Sequence, residues 1–430
     1  MPKKGFVVSL FLVLVMLVGA LPAFAAEPEL TGDITIEHYW SGGFGLDFIE
    51  KVINDFVAMH PGLKRAASSV DHEQFKTAIL VQLAGGNPPD AFSYWAGARV
   101  QFIKDGDRLQ PIDDIWQANN MDEMFPPGII ENAATYDGEK YLIPLTLHWV
   151  GFFYNPKLFE QVGAEVPKTW DEMIAVAEKF KEAGIPAFAL GSRERWPAQF
   201  WFDMILLRTA GNEYRQKLMN GEASYTDPEV VRAFELWKQL VDAGYFYPDA
   251  NAYDWIEAGD FVANGEAGMN LMGTWVGGHY VNDLGLVPGE DYNYFAFPLI
   301  DADTPHASLG PIDGFVMSKD APNPAAAKAF LVYLTDPVVQ LAFAEGGGHI
   351  APSLMADTSG YDAVKAAIVG EIAADPVFAF NYDLASPPPV AEVGLNAFSE
   401  FMANPGDYQA MLERVQEDAA AEFATLAESE

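Results

Sequence analysis

The chain contains no cysteine. That excludes disulfides, thiolate metal sites and a thiol nucleophile. It also excludes lipid attachment to a cysteine exposed by processing. Basic residues are scarce: 25 Lys and Arg stand against 61 Asp and Glu, a formal net charge of −36. A surface of that sign repels phosphate backbones and anionic lipid, so no nucleic-acid partner is expected. The seven histidines are scattered without close metal-ligand spacing, so neither a metal nor another cofactor is expected. No G-x-S-x-G elbow, phosphate-binding loop or H-E-x-x-H motif is present, and the chain does not read as an enzyme. With 61 acids, two carboxylates will face some cleft by chance, so a glycosidase pair cannot be argued from the count. After the first 25 residues no stretch is long and apolar enough to span a membrane.

What is present begins at the N-terminus. Lys3 and Lys4 precede an apolar run from Phe6 to Leu21, then Pro22 and the small-residue pattern Ala23-Phe24-Ala25. This order is that of a cleaved secretory signal peptide over residues 1–25, with the cut before Ala26. The mature chain is expected outside the cytoplasm. Export without disulfides fits a bacterial envelope better than an animal secretory route.

Half of the chain is hydrophobic and 13% is aromatic, enough for a large core. Strand and helix signals alternate, which indicates an α/β protein with mainly parallel sheets. Ile34 and Ile36 mark a first strand; Leu46, Ile49, Ile53 and Phe56 follow at helical spacing and stop at His60-Pro61-Gly62. Thr169-Trp170-Asp171-Glu172 reads as a capping box, and Asp227-Pro228 and Asn323-Pro324 as capped helix starts. Ser386-Pro387-Pro388-Pro389 reads as a stiff surface connection.

Several stretches, in order, resemble the extracytoplasmic sugar-binding subunits of ABC importers, the solute-binding family 1 that includes maltose-binding protein. They are Tyr39-Trp40-Ser41-Gly42-Gly43, Leu83-Ala84-Gly85-Gly86-Asn87-Pro88-Pro89-Asp90-Ala91, Gly138-Glu139-Lys140-Tyr141-Leu142-Ile143-Pro144 and Phe153-Tyr154-Asn155-Pro156-Lys157-Leu158-Phe159. Val166-Pro167-Lys168-Thr169-Trp170, Asp313-Gly314-Phe315-Val316-Met317-Ser318 and Gly348-His349-Ile350-Ala351-Pro352 complete the set. The resemblance implies a two-lobed periplasmic-binding-protein fold of type II with the ligand cleft between the lobes. It implies a first lobe from residues 26–144 and 304–350 and a second from 145–303 and 351–430. Chain crossings are expected near Pro144, Ile300 to Thr304 and His349 to Pro352. It further implies a monomer in the periplasm that passes a neutral sugar to the permease subunits of an ABC transporter.

A sugar needs aromatic rings for its C–H faces and planar polar groups for its hydroxyls. Candidates next to strand ends and glycines are Trp40, Ser41, Tyr94, Trp95, Trp275 and Asp313, and Trp255 opens a helix-like segment. His72 and Gln74 open a helix, His148 and Trp149 follow the first expected crossing, Arg195 and Trp196 lie in a loop, and His349 follows three glycines. Trp237 sits on a helical stripe and reads as core. Two other classes stay open: a binder of another solute, such as a polyol, an amino acid or a metal complex, and an exported glycoside-active enzyme.

Overall fold

The computed structural model describes residues 29–429; the expected signal peptide, residues 1–25, lies outside them. The strands in chain order are β1 (Thr31–His38), β2 (Gly62–Ser69), β3 (Ala91–Trp95), β4 (Thr135–Tyr136), β5 (Glu139–Lys140), β6 (Leu142–Leu147), β7 (Val150–Tyr154), β8 (Phe188–Ala189), β9 (Met269–Gly273), β10 (Asn293–Phe295), β11 (Ser308–Leu309), β12 (Ile312–Met317) and β13 (Phe378–Ala379).

Two sheets dominate. One has the order β2-β1-β3-β12-β6 and the other β10-β7-β9-β8. In the first, β1 pairs in parallel with β2 and β3, while β12 runs against both β3 and β6. In the second, β7 runs against β9 and β10, and β8 is parallel to β9. Each sheet thus carries one opposed strand, β12 or β7, and each is the strand by which the chain arrives from the other sheet. The sheets are mixed where the sequence reading expected mainly parallel ones, because a chain crossing directly between sheets enters without a reversing helix. Buried apolar faces of helices cover both sheets. Helix Gly43–Met59 contributes Ile49, Val52, Ile53 and Phe56 to the first core, and helix Gln199–Thr209 is buried almost all round in the second.

The crossings lie side by side. The chain leaves β6 at Leu147 and enters β7 at Val150, slightly beyond the expected Pro144. Pro144 instead sits inside β6 opposite Gly314, beside a register shift between Asp313 and Gly314; an irregularity is where a strand tolerates a residue with no N–H. Leu147 exchanges backbone hydrogen bonds with Ile350 (3.0 and 2.9 Å), and His148 N donates to Pro311 O at 3.0 Å. The three passages of chain are therefore tied to one another at Leu147 and His148.

Local signals were mostly realised. Thr169 and Glu172 form a reciprocal capping box on helix Trp170–Glu182, and Asn323 caps helix Pro324–Tyr333. Asp227 precedes helix Pro228–Asp242 but does not cap it; its carboxylate accepts from Ser224 N and Tyr214 Oη, both at 3.0 Å. Ser386 is buried and Pro388 starts helix Pro388–Ala403, so the triple proline is a helix entry, not a surface connection. Gly346 and Gly347 end helix Pro337–Gly347, and Gly348 closes it at φ +75°, in the left-handed region that favours glycine.

Candidate functional site

Side chains from both sheets line one cavity of about 500 Å³ beside the crossings. Tyr39 and Trp40 follow β1 directly, and β3 ends in Trp95. The Tyr39 and Trp95 rings stack at 4.4 Å with 12° between planes, and His72 stands edge-on to both, at 5.2 and 5.1 Å. On the opposite wall, Trp275 starts helix Trp275–Asn282 directly after β9. A Cβ on Gly273 would lie 1.9 Å from the Trp275 ring, so only glycine lets that ring fold back there. Trp196 meets Trp275 at 5.8 Å and 61°, and its ring reaches within 6.4 Å of His72 on the first wall. The two lobes therefore face each other across the cavity, with rings from both walls near one another.

The end of the cavity nearest the crossings is polar. Asp313 Oδ2 accepts from Thr146 Oγ1 at 3.2 Å and lies 3.5 Å from His148 Nε2. The other His148 nitrogen, Nδ1, is 3.0 Å from Thr274 Oγ1 on the second lobe. Asp313 Oδ1, Tyr39 Oη and both ring nitrogens of His349 are buried without a hydrogen-bond partner in the protein. Unpartnered buried polar atoms cost free energy, and where they line a cavity a bound molecule can satisfy them. Burial, reinforced by the Asp313 carboxylate, pushes the Tyr39 phenol well up. Burial, with His148 adding to it, holds His349 well below its ordinary value and therefore neutral.

The mouth is acidic. Burial works against ionisation of Glu73, but hydrogen bonds from His72 and Lys76 (both 2.9 Å) outweigh it and bring the carboxyl down to about 2. Burial and then the nearby Asp254 push Glu194 up. Asp71, Glu73, Glu194, Asp254, Asp283, Asp313 and Asp383 line the cavity, with Lys76 the lysine among the lining residues.

Ten of the residues singled out from sequence line this cavity: Trp40, Ser41, His72, Trp95, His148, Trp196, Trp255, Trp275, Asp313 and His349. Four do not. Tyr94 points to the opposite face of β3 from Trp95, as strand alternation requires, and is fully buried in the core. Trp149 is buried edge-on to Tyr294 in the second lobe. Gln74 is on the exposed side of helix His72–Ala84. Arg195 is turned away to Glu392 (2.8 Å) and Asn396 (2.7 Å).

The sequence pattern of the bacterial extracellular solute-binding protein family matches residues 45–341. The chain belongs to that family. An ABC transporter extracellular-binding protein of Pyrococcus horikoshii is 32% identical over 79% of this chain and 76% of its own length. A protein of Rhizobium meliloti named as a probable sugar-binding periplasmic protein is 25% identical, covering 65% of this chain and 67% of its own. Among solved structures, the bacterial solute receptor AcbH, described as having an exclusive preference for β-D-galactopyranose, superposes with a TM-score of 0.85 at 26% identity, covering 91% of this chain and 100% of AcbH.

For a solute-binding protein, the sequence reading missed residues that reach the cleft only through tertiary structure. Tyr39 reads as the last core residue of a strand, and its hydroxyl gives no signal. Asp383 sits in a short helical turn, Tyr382–Ala385, with Asn381 just before it, and the segment is held at the cavity by a buried ion pair. Asp203 takes Arg215 at 2.7 Å, accepts from Tyr382 N at 2.7 Å, and Arg215 also donates to Phe380 O at 2.6 Å. Burial pushes the Asp203 carboxyl up to about 6 against the pull of Arg215. Asp71 was legible as a helix cap, which it is, and it lines the cavity as well.

Proposed function

We propose that this protein is the substrate-capturing subunit of an ABC importer, taking a neutral sugar, from monosaccharide to short oligosaccharide, into the cleft. The observation that carries the reading is the convergence of aromatic faces from both lobes with the unpartnered atoms of Asp313, Tyr39 and His349 in one cavity. Trp40, Trp95, Trp196, Trp255 and Trp275 offer faces and edges for the C–H surfaces of sugar rings. Ser41, His72, His148, Asp313 and His349 supply hydroxyl partners. Carboxylates only accept hydrogen bonds, so the acidic wall suits a ligand rich in hydroxyl donors and opposes an anionic one. The names of the Rhizobium relative and of AcbH support a sugar.

Binding is non-covalent, with closure of the lobes over the ligand, and the closed form docks on the membrane permease. The protein works as a monomer without nucleic acid. Residues 1–25 are removed before Ala26, and the chain, lacking a cysteine there, diffuses freely in a periplasm.

A thermal-shift screen against a sugar library tests the reading. A ligand that binds only the native state stabilises it by about 2.7 kcal/mol at a hundred times its Kd. A neutral sugar should raise Tm. A screen in which no sugar does so while another solute does would overturn the sugar assignment.

A further inference from the structure

Arg99 and Asp383 lie 284 positions apart and belong to different lobes. Arg99 is in helix Ala98–Asp105, which follows β3 of the first sheet. Asp383 is anchored to the second lobe, where its backbone N–H donates to Gln199 Oε1 at 2.8 Å. Their side chains meet at 3.3 Å, and they are only 4% and 6% exposed. Asn381 Nδ2 donates to the other Asp383 oxygen at 2.6 Å. The Arg99 guanidinium also lies 5.6 Å from the centre of the Trp95 ring. Asp383 and Trp95 line the cavity, whereas Arg99 is behind them. The approach is tight: a Cβ on Gly97 would fall 2.4 Å from Leu384 O.

We propose that Arg99 is a positioning residue and, with Asp383, an interlobe latch that makes closure conditional on the correct seating of the cavity wall; this rests on the binding-protein reading above. When the lobes part, water solvates both charges. When they close, both are desolvated and each depends on the other. A buried pair of this kind adds little net stability over an apolar pair, yet losing one partner strands a charge at the contact. The latch therefore penalises misaligned closure more than it rewards the aligned state. Arg99 sets Trp95, the ring stacked on Tyr39, against the same contact, so its charge ties the aromatic wall to closure.

The test uses the mature chain carrying Val81→Cys and Val166→Cys, exposed positions on the two lobes of a protein with no other cysteine, labelled for FRET. Arg99→Met and Asp383→Asn should each lengthen the mean interlobe distance, with and without a sugar found in the screen. Each should weaken that sugar's Kd roughly 30- to 100-fold, chiefly through faster dissociation. The double variant Arg99→Met/Asp383→Leu should return to within about threefold of the parent, and Arg99→Lys should recover part of the loss. A purely structural role would lower the melting temperature without this non-additivity and without moving the distance. Unchanged distance and affinity in the single variants, or a double variant that loses the sum of the single effects, would overturn the latch. If no sugar binds the parent, the sugar reading fails, and the latch is still decided by the distances in the unliganded variants.

Discussion

The rings of Tyr39 and Trp95 stack face to face, 4.4 Å between centres and 12° from parallel, although one follows β1, the other ends β3, and they are 56 positions apart. The stack places one indole in the cavity wall and leaves the phenol oxygen buried beside Asp313 with no partner of its own.

Removing that ring should be felt in binding. Trp95→Ala should weaken sugar affinity by about 2 kcal/mol, roughly 30-fold, from lost contact area and stacking. Isothermal titration would measure it. Trp237, fully buried on helix Pro228–Asp242, supplies the contrast. Trp237→Ala should cost about 3–5 kcal/mol of stability in denaturant melts. A Trp95 variant that bound normally would remove it from the site.

Tyr39→Phe deletes a hydroxyl that has no hydrogen-bond partner in the protein. Stability should stay level or rise, because a buried unsatisfied group disappears. Affinity should fall about tenfold, the worth of one hydrogen bond of roughly 1–1.5 kcal/mol. A stability loss with unchanged affinity would mean the oxygen serves the fold instead.

Asp203→Ala should destabilise the second lobe by about 3–5 kcal/mol, since it strands Arg215 in the interior. It also releases Tyr382 N, so the turn bearing Asp383 should loosen. Hydrogen exchange at residues 380–385 should quicken more than exchange at β1.

The pH dependence follows from His349. Burial keeps it neutral in the folded protein, well below its ordinary 6.5, while the unfolded chain takes a proton there. Below pH 6.5 the unfolded state therefore binds more protons, so stability present above that pH is lost as the pH falls. His349→Asn should flatten this acid-side slope by one proton, about 1.4 kcal/mol per pH unit. His38, also lowered by burial, should leave a residual slope of the same sign. Denaturant midpoints between pH 5 and pH 7 would show it, and an unchanged slope would mean His349 is protonated in the fold.

Much of the fold was legible because it is written in local patterns. The buried stripe Ile49, Ile53 and Phe56, the capping box of Thr169 and Glu172, and the punctuation at His60-Pro61-Gly62 depend on neighbours a few positions away. So did the placement of Trp40, Trp95 and Trp275, each set at a strand end or beside a glycine. Local context failed where direction or partner mattered. Tyr94 and Trp95 look alike in sequence, but alternation along β3 sends one to the core and the other to the cavity. Arg195 and Trp196 are adjacent, yet the arginine is drawn away by Glu392 on a distant helix.

By itself the sequence determined an acidic, cysteine-free α/β chain with an export-type N-terminus and a supply of aromatic and carboxylate groups at strand ends. Only the tertiary structure decided which of them share a cavity and that Arg99 meets Asp383. The reason is physical. Periodicity and capping act over one or two helical turns. Stacking, ion pairing and burial require groups far apart in the chain to lose water together, and their positions are set by how the sheets cross and close.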